Sequence, residues 1–274
     1  MRNRIVDRIY SFASRRKDVF LVSGDAGFGV LDKYQTDFPK RFLNLGVAEQ
    51  NAISFASGLA LGGFRVFIYN IIPFLLYRCY EQVRNDICYQ ELPVTLIGIG
   101  SGVTYAPQGM THYSVEDIAL ARTLPNLTVF SPADPLEAEA CVDYAMHTKN
   151  PVYIRVSKSG EAVMHRAKPK DITLPLPIRE GRSVAILFYG SISSEVIEAI
   201  NSLTVSPMVI SLPMLQPLNF AHLKGLIKNI RTIITVEEHF KDGGLASIIS
   251  EWLVNEKKKI RLIRLGIDNQ FIHH

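Results

Sequence analysis

The chain has few cysteines and no apolar run long enough to cross a bilayer. Its three cysteines are far apart and show no CxxC spacing, which argues against a secreted disulfide scaffold and against a zinc site. The most apolar stretch, 66–77, is interrupted by Asn70 and Pro73, so it is too short to span a membrane. Residues 1–18 are rich in charge and lack the apolar core of a signal peptide. We therefore expect a cytoplasmic protein with no membrane segment.

Charged residues of either sign are scattered along the chain rather than clustered. The exception is one short basic run at 257–261, which is typical of a solvated turn. Lys and Arg number 30 and Asp and Glu 26, which leaves a net charge of +4 on 274 residues. A chain that binds nucleic acid would need a clustered basic face. No nucleic-acid partner is therefore expected.

Several motifs that bind phosphates or carry catalysis are also missing. The loop 24–29 contains three glycines but matches neither GxGxxG nor GxxxxGK[ST], and neither GxSxG nor HExxH occurs. The chain also lacks the motif that binds diphosphate and magnesium, which begins GDG and ends at a later Asn. Ala26 stands where the motif has its second Gly, and Asn44 comes too early to be its Asn. We expect no metal ligands in this chain.

The order of apolar runs predicts two three-layer α/β domains. Short strand-like runs alternate with helical patterns, which is typical of a parallel sheet covered on both faces. In the first series the strands are 19–22, 66–69, 94–97 and 152–154, and the helices are 47–62, 74–90, 114–123 and 135–148. A second series of strands lies at 184–188, 208–210, 232–236 and 260–263. The stretch 167–181 is rich in proline and basic residues, which predicts a linker between domains at 1–166 and 182–274.

Two residues are candidates for chemistry on their position alone. Glu49 falls in the first turn of a predicted helix, where a carboxylate can serve catalysis or simply complement the helix dipole. His112 follows a glycine-rich loop, 100–109, that begins where a strand ends and is therefore well placed to form part of a ligand crevice. A lone histidine is as often structural as functional, so spacing leaves both residues open.

An ordered series of motifs spans nearly the whole chain: 42–52 (FLNLGVAEQNA), 109–112 (GMTH), 131–134 (SPAD) and 235–239 (TVEEH). Read together, these motifs resemble the transketolase-like family of thiamine-diphosphate enzymes. Family members have a diphosphate- and Mg²⁺-binding domain, a pyrimidine-binding domain and a C-terminal domain. This chain is similar to the second followed by a smaller third. The resemblance therefore implies a split enzyme whose N-terminal, diphosphate-binding subunit is a separate chain, with two copies of each subunit.

The resemblance also implies roles for individual residues. Glu49 would hydrogen-bond N1′ of the aminopyrimidine, and His112 would contact donor oxygens and shuttle protons. The remaining assignments are Phe74, Leu75, Arg78 and Tyr80 around the pyrimidine, Asp25 facing the cofactor, and Gln108 and Arg155 on the substrate, with Arg155 on a distal anion. Leu75 takes a position that the family often fills with Phe. Gln108 replaces a family Asp and Gly100 replaces a family His, which places the usual phosphorylated sugar donor in question.

The implied function is transfer of a two-carbon ketol unit from a ketose or ketose phosphate to an aldehyde acceptor. Three alternatives stay open at this stage. One is 2-oxoacid decarboxylation with acyl transfer, of the deoxyxylulose-phosphate-synthase or oxoacid-dehydrogenase type. Another is a non-catalytic assembly subunit that keeps the fold. The third is a flavodoxin-like binding module, which would be favoured if no cofactor binds in any combination of subunits.

Overall fold

The computed structural model describes residues 1–158 and 161–272 and contains two sheets. The first sheet has seven strands in the order β10-β5-β6-β4-β3-β1-β2. Their bounds are β1 Val19–Ser23, β2 Phe42–Asn44, β3 Arg65–Ile71, β4 Val94–Ile99, β5 Thr128–Phe130, β6 Val152–Val156 and β10 Met214–Gln216. All pairs are parallel except β10 with β5. The predicted α/β class is confirmed, but β10 comes from the second half of the chain and was not predicted.

Helices cover both faces of this sheet because its strands are apolar on both sides. The helices of this half are α1 Arg2–Ala13, α2 Asp32–Asp37, α3 Glu49–Leu61, α4 Tyr80–Gln82, α5 Asp117–Arg122 and α6 Pro135–His147. Along β1, Phe20 and Val22 pack in one core with α3, whereas Val19 and Leu21 pack in another with α1 and α6. Helix α6 begins where it does because Asp134 accepts hydrogen bonds from two backbone N–H groups of its first turn and Pro135 opens the helix.

The segment predicted as a helix over 74–90 is irregular. Two π-helical turns, Pro73–Tyr77 and Val83–Cys88, flank the short α4. A π turn accommodates one more residue than an α turn, so it changes which side chains face the core. The predicted helix over 114–123 is also shorter than expected, because Ser114 instead pairs with Gly102 in a β-bridge.

The second sheet has five strands in the order β12-β11-β8-β9-β7. Their bounds are β7 Leu176–Arg179, β8 Ser183–Phe188, β9 Met208–Ser211, β11 Ile230–Phe240 and β12 Arg261–Ile267. Helices α8 Phe220–Leu226 and α9 Leu245–Val254 lie on the face that shares a core with the first sheet, and α7 Ser193–Asn201 packs on the other. One continuous core therefore joins the two halves.

The boundary between the halves differs from the predicted linker over 167–181. Strand β7 lies inside that stretch and pairs antiparallel with β9, so the connection ends before Leu176. Upstream, the ammonium group of Lys168 binds Glu139 and Asp143 of α6 at 3.1 and 2.5 Å. The connection is thus held against the first domain.

Among the helices of residues 1–158 and 161–272, none combines the length and the apolar character that a membrane span requires.

Candidate active site

Four loops meet at the carboxyl end of the first sheet, where parallel α/β sheets usually bind ligands. They follow β1, β2, β3 and β4, and they lead to or carry several of the residues singled out in the sequence, among them Asp25, Glu49 and His112. The first two loops touch directly, because the backbone N–H of Asp25 donates to the carbonyl of Gly46 at 3.1 Å. The Asp25 side chain itself is exposed at this rim.

Glu49 is the first residue of α3 and is almost fully buried, with only 6% of its surface exposed. The carboxylate accepts a hydrogen bond from Nη1 of Arg78 at 2.7 Å. Arg78 is half exposed, and its backbone carbonyl accepts from Nε2 of Gln50 at 3.3 Å. The pair thus joins α3 to the π-helical segment, and an interior carboxylate lies next to an accessible cation.

Phe74 connects this ion pair to His112. The Arg78 guanidinium lies 4.7 Å from the centre of the Phe74 ring, and the His112 ring meets Phe74 edge to face at 5.2 Å. Nδ1 of His112 shares a 2.8 Å hydrogen bond with the hydroxyl of Thr111. Four sequence-predicted residues, Glu49, Arg78, Phe74 and His112, therefore form one continuous cluster.

Other predicted residues lie elsewhere. Leu75 is 1% exposed and packs in the core beneath α3, which corrects the prediction that it lines the pyrimidine pocket: the wide π turn places Phe74 at the cluster instead. Tyr80 is half buried, and its hydroxyl bonds that of Thr123. Gln108 is exposed on the short 3₁₀ turn Ala106–Gln108 of the loop that carries His112.

Arg155 does not reach the surface, which contradicts the prediction that it binds a distal substrate anion. Its side chain is fully buried, and Nε donates to both carboxylate oxygens of Asp117 at 2.8 and 3.0 Å. Burial acts to lower the pKa of Arg155, but Asp117, together with Tyr189, Tyr153 and Glu238, favours the charged form, and the pKa is raised. The physical reason is that Asp117 and the backbone carbonyls of Ser114 and Glu238 hold the guanidinium in the interior.

Sequence reasoning missed two residues that contact the loop carrying His112. The Tyr77 hydroxyl shares a 2.9 Å hydrogen bond with the hydroxyl of Ser114, and burial raises the pKa of Tyr77. Glu238, from the second domain, accepts from the backbone N–H of Val103 at 3.0 Å. Glu238 lies within the motif 235–239, but nothing in the spacing of that motif indicated a contact with the first domain.

The arrangement can hold a planar heteroaromatic ring. A buried carboxylate can hydrogen-bond a ring nitrogen, and a half-buried phenyl group can pack on a ring face. Within 1–158 and 161–272, no group of three or more His, Cys, Asp or Glu side chains could hold a metal ion.

Both halves of the chain match models of known protein domains. Residues 1–160 match the transketolase pyrimidine-binding domain, and residues 176–274 match the transketolase C-terminal domain. The chain belongs to the transketolase family. Both matched domains agree with the two sheets described above.

Individual members of the transketolase family are similar over most of this chain. An apulose-4-phosphate transketolase subunit of Actinobacillus succinogenes is 33% identical over 270 residues, which are 97% of this chain and 87% of that protein. The 1-deoxy-D-xylulose-5-phosphate synthase of Methylacidiphilum infernorum is 33% identical over 250 residues, which are 89% of this chain but 39% of the synthase. This chain therefore spans less than half of the synthase.

A solved transketolase structure is also similar to this chain over most of its length. A split-gene transketolase, an inactive beta4 tetramer, has a TM-score of 0.89 and 28% identity to this chain, and the match covers 98% of this chain and 89% of that one. This chain is thus similar in length to that split-gene transketolase chain.

Proposed function

We propose that this chain is the C-terminal subunit of a split, thiamine-diphosphate-dependent transketolase. The observation that carries the proposal is the cluster at the carboxyl end of the first sheet, where the buried carboxylate of Glu49 lies beside Phe74 and His112. The apulose-4-phosphate transketolase subunit, which is similar to this chain over most of both lengths, supports the same assignment.

The residues present fit the aminopyrimidine end of thiamine diphosphate. When bound, the cofactor supplies a carbanion and an electron sink for breaking and forming carbon–carbon bonds. Glu49 would hold a proton at a ring nitrogen, and Phe74 would pack on the ring. His112 would hydrogen-bond the oxygens of the substrate and move a proton between them, with Gln108 on the same loop facing the substrate. Asp25 and Arg78 would contact the cofactor beside this cluster. Tyr80 stays a proposed cofactor contact, although it lies outside the cluster with its hydroxyl on Thr123.

The surroundings of the cluster favour a covering subunit. Phe28, Val47 and Met110 lie on three of the four loops at this end of the sheet and are 77%, 76% and 56% exposed. Large apolar side chains grouped around a site are typical of an interface. We propose that the partner is the N-terminal, diphosphate-binding subunit, that it holds Mg²⁺, and that two copies of each chain assemble. The solved split-gene relative made of one kind of chain is inactive.

A ketose or ketose phosphate is the proposed donor and an aldehyde the acceptor, as in carbohydrate metabolism. The synthase relatives favour a second candidate, decarboxylation of a 2-oxoacid such as pyruvate with acyl transfer. A cytoplasmic location completes the proposal: all three cysteines are free and buried, which suits a reducing compartment.

Reconstitution tests the proposal. The chain is mixed with the diphosphate-binding subunit encoded nearest to it, thiamine diphosphate and Mg²⁺, and is assayed with ketose phosphates and separately with pyruvate. We expect turnover only in the mixture. Glu49→Gln should lower kcat about a hundredfold or more, as for loss of a group that transfers protons. The matched control is Glu81→Gln, which alters an exposed carboxylate on α4. Full activity of the Glu49→Gln mixture would instead indicate an assembly subunit.

A further inference from the structure

The second domain holds the loop that carries His112 through a side chain of β11. Glu238 lies near the end of β11, and each of its two carboxylate oxygens accepts a hydrogen bond from a different domain. Oε1 accepts from the backbone N–H of Val103 at 3.0 Å, and Oε2 accepts from the hydroxyl of Ser191 at 2.9 Å. The carboxylate therefore joins the loop that follows β4 in the first domain to the segment that follows β8 in the second.

The point that Glu238 holds is the base of the loop. Gly102 and Ser114 close the loop by exchanging backbone hydrogen bonds of 2.8 and 2.9 Å. Gln108 and His112 both lie between these two residues in the chain. Val103 directly follows Gly102. Anchoring Val103 therefore fixes the start of the segment that presents His112.

The approach of Glu238 to this base is close enough to require glycine. Gly102 has a φ of +62°, and a Cβ atom added there would lie 2.3 Å from Cδ of Glu238. A side chain at position 102 would thus be strained by its backbone conformation and would displace the carboxylate.

The other side of the base is tied to the same residue. Nη2 of Arg155 donates to the carbonyl of Ser114 at 3.3 Å and to the backbone carbonyl of Glu238 at 2.9 Å. Asp117 holds Arg155 in turn. Both ends of the loop are consequently bound to one residue of the second domain, at Val103 by its side chain and at Ser114 through Arg155.

We propose that Glu238 is a positioning residue that sets the placement of His112 through the base of its loop. This role rests on the proposed function of His112 and extends it, because it gives the C-terminal domain a part in the reaction. Removing the carboxylate should let Val103 and the loop move while the pyrimidine side of the site, at Glu49 and Phe74, stays in place.

The variants can be chosen so that folding is preserved. Glu238 borders a polar cavity of about 300 Å³ that also contacts Thr104, Ser191 and Glu195, so a truncated side chain leaves space that water can fill. Glu238→Ala removes the acceptor. Glu238→Gln keeps an oxygen for the N–H of Val103 and turns an amide toward Ser191. Glu195→Ala, an exposed carboxylate on the same cavity, is the matched control.

Hydrogen exchange of peptides covering 101–114, measured by mass spectrometry on the full chain, is the first readout. Loss of a charge-assisted hydrogen bond should speed exchange at Val103 about tenfold in Glu238→Ala. Glu238→Gln and Glu195→Ala should exchange like the wild type. Unchanged exchange in Glu238→Ala, or equal acceleration in Glu238→Gln, would overturn the proposal.

Kinetics of the reconstituted enzyme are the second readout. In Glu238→Ala we expect kcat/KM for the donor to fall about tenfold, with cofactor affinity unchanged and activity restored in Glu238→Gln. An equal loss of cofactor affinity, or no loss of kcat/KM, would contradict a positioning role. The exchange measurement needs no turnover: accelerated exchange with an inactive wild-type mixture would refute the proposed function alone, and normal exchange with an active one would refute the role of Glu238 alone.

Discussion

Replacing Asp117 with asparagine should destabilise the chain strongly, because it leaves the guanidinium of Arg155 charged, buried and without its counter-ion. Both side chains are fully buried, and their closest contact is 2.8 Å. Breaking a buried ion pair from one side costs about 3–5 kcal/mol. Asparagine keeps one acceptor oxygen, so we expect a loss near the lower end, roughly 3 kcal/mol.

The assay is thermal unfolding of the full chain followed by calorimetry. For a chain of this size each kcal/mol lowers Tm by roughly 2–4 °C, so Asp117→Asn should lower Tm by about 6–12 °C. Tyr153→Phe is the control: it removes the 2.7 Å hydrogen bond from its hydroxyl to Asp117 and should cost about half as much.

A double variant separates charge from packing. Arg155→Met combined with Asp117→Asn removes both charges, so its loss should be smaller than the sum of the single losses. A loss below about 1 kcal/mol for Asp117→Asn would refute the reasoning, since that is the value typical of an exposed pair. It would also reopen the sequence prediction that Arg155 binds a substrate anion.

Three further outcomes follow from the same geometry. Phe74→Ala should weaken cofactor binding to the reconstituted enzyme about tenfold without altering Tm, because the ring lies at the cluster rather than in the core. Calorimetric titration checks the cofactor affinity, and thermal unfolding checks Tm. The hydrogen bond to Glu137 raises the pKa of His165, so its stabilisation is complete below the ordinary histidine pKa and disappears as pH rises through the raised value. Urea unfolding should therefore show a larger deficit for His165→Gln at pH 6 than at pH 8.5, and an equal deficit would contradict this. Burial also raises the pKa of all three thiols, so a thiol reagent should label none of them in the native chain and all after denaturation: Cys79, Cys88 and Cys141.

The sequence predicted the layers of the fold because strands buried on both faces are nearly continuous apolar runs. It did not predict β10, Met214–Gln216, because three residues that pair with another domain leave no periodic pattern. The linker prediction failed at 176–179 for a similar reason: Pro177 and its basic neighbours suggested a connection, yet an edge strand tolerates proline.

Short, local motifs predicted residues that the structure brings into one cluster, as at Glu49 and His112, and their roles stay a prediction. Leu75 was misassigned because the resemblance matched it to a position that the family often fills with Phe, whereas the π turn places Phe74 at the cluster and Leu75 in the core. Arg155 was misassigned because its partner, Asp117, lies 38 positions away in the chain. Glu238 was missed because contacts between domains leave no trace in local spacing.

Calorimetric titration of thiamine diphosphate with Mg²⁺ tests the central claim most directly. The titration is run on this chain alone, on the chain mixed with the diphosphate-binding subunit encoded nearest to it, and on the same mixture carrying Glu49→Ala. The account predicts binding in the mixture alone, weakened about tenfold or more when the charge-assisted hydrogen bond of Glu49 is lost. A mixture that binds no cofactor, or one whose affinity is unchanged by Glu49→Ala, would contradict it.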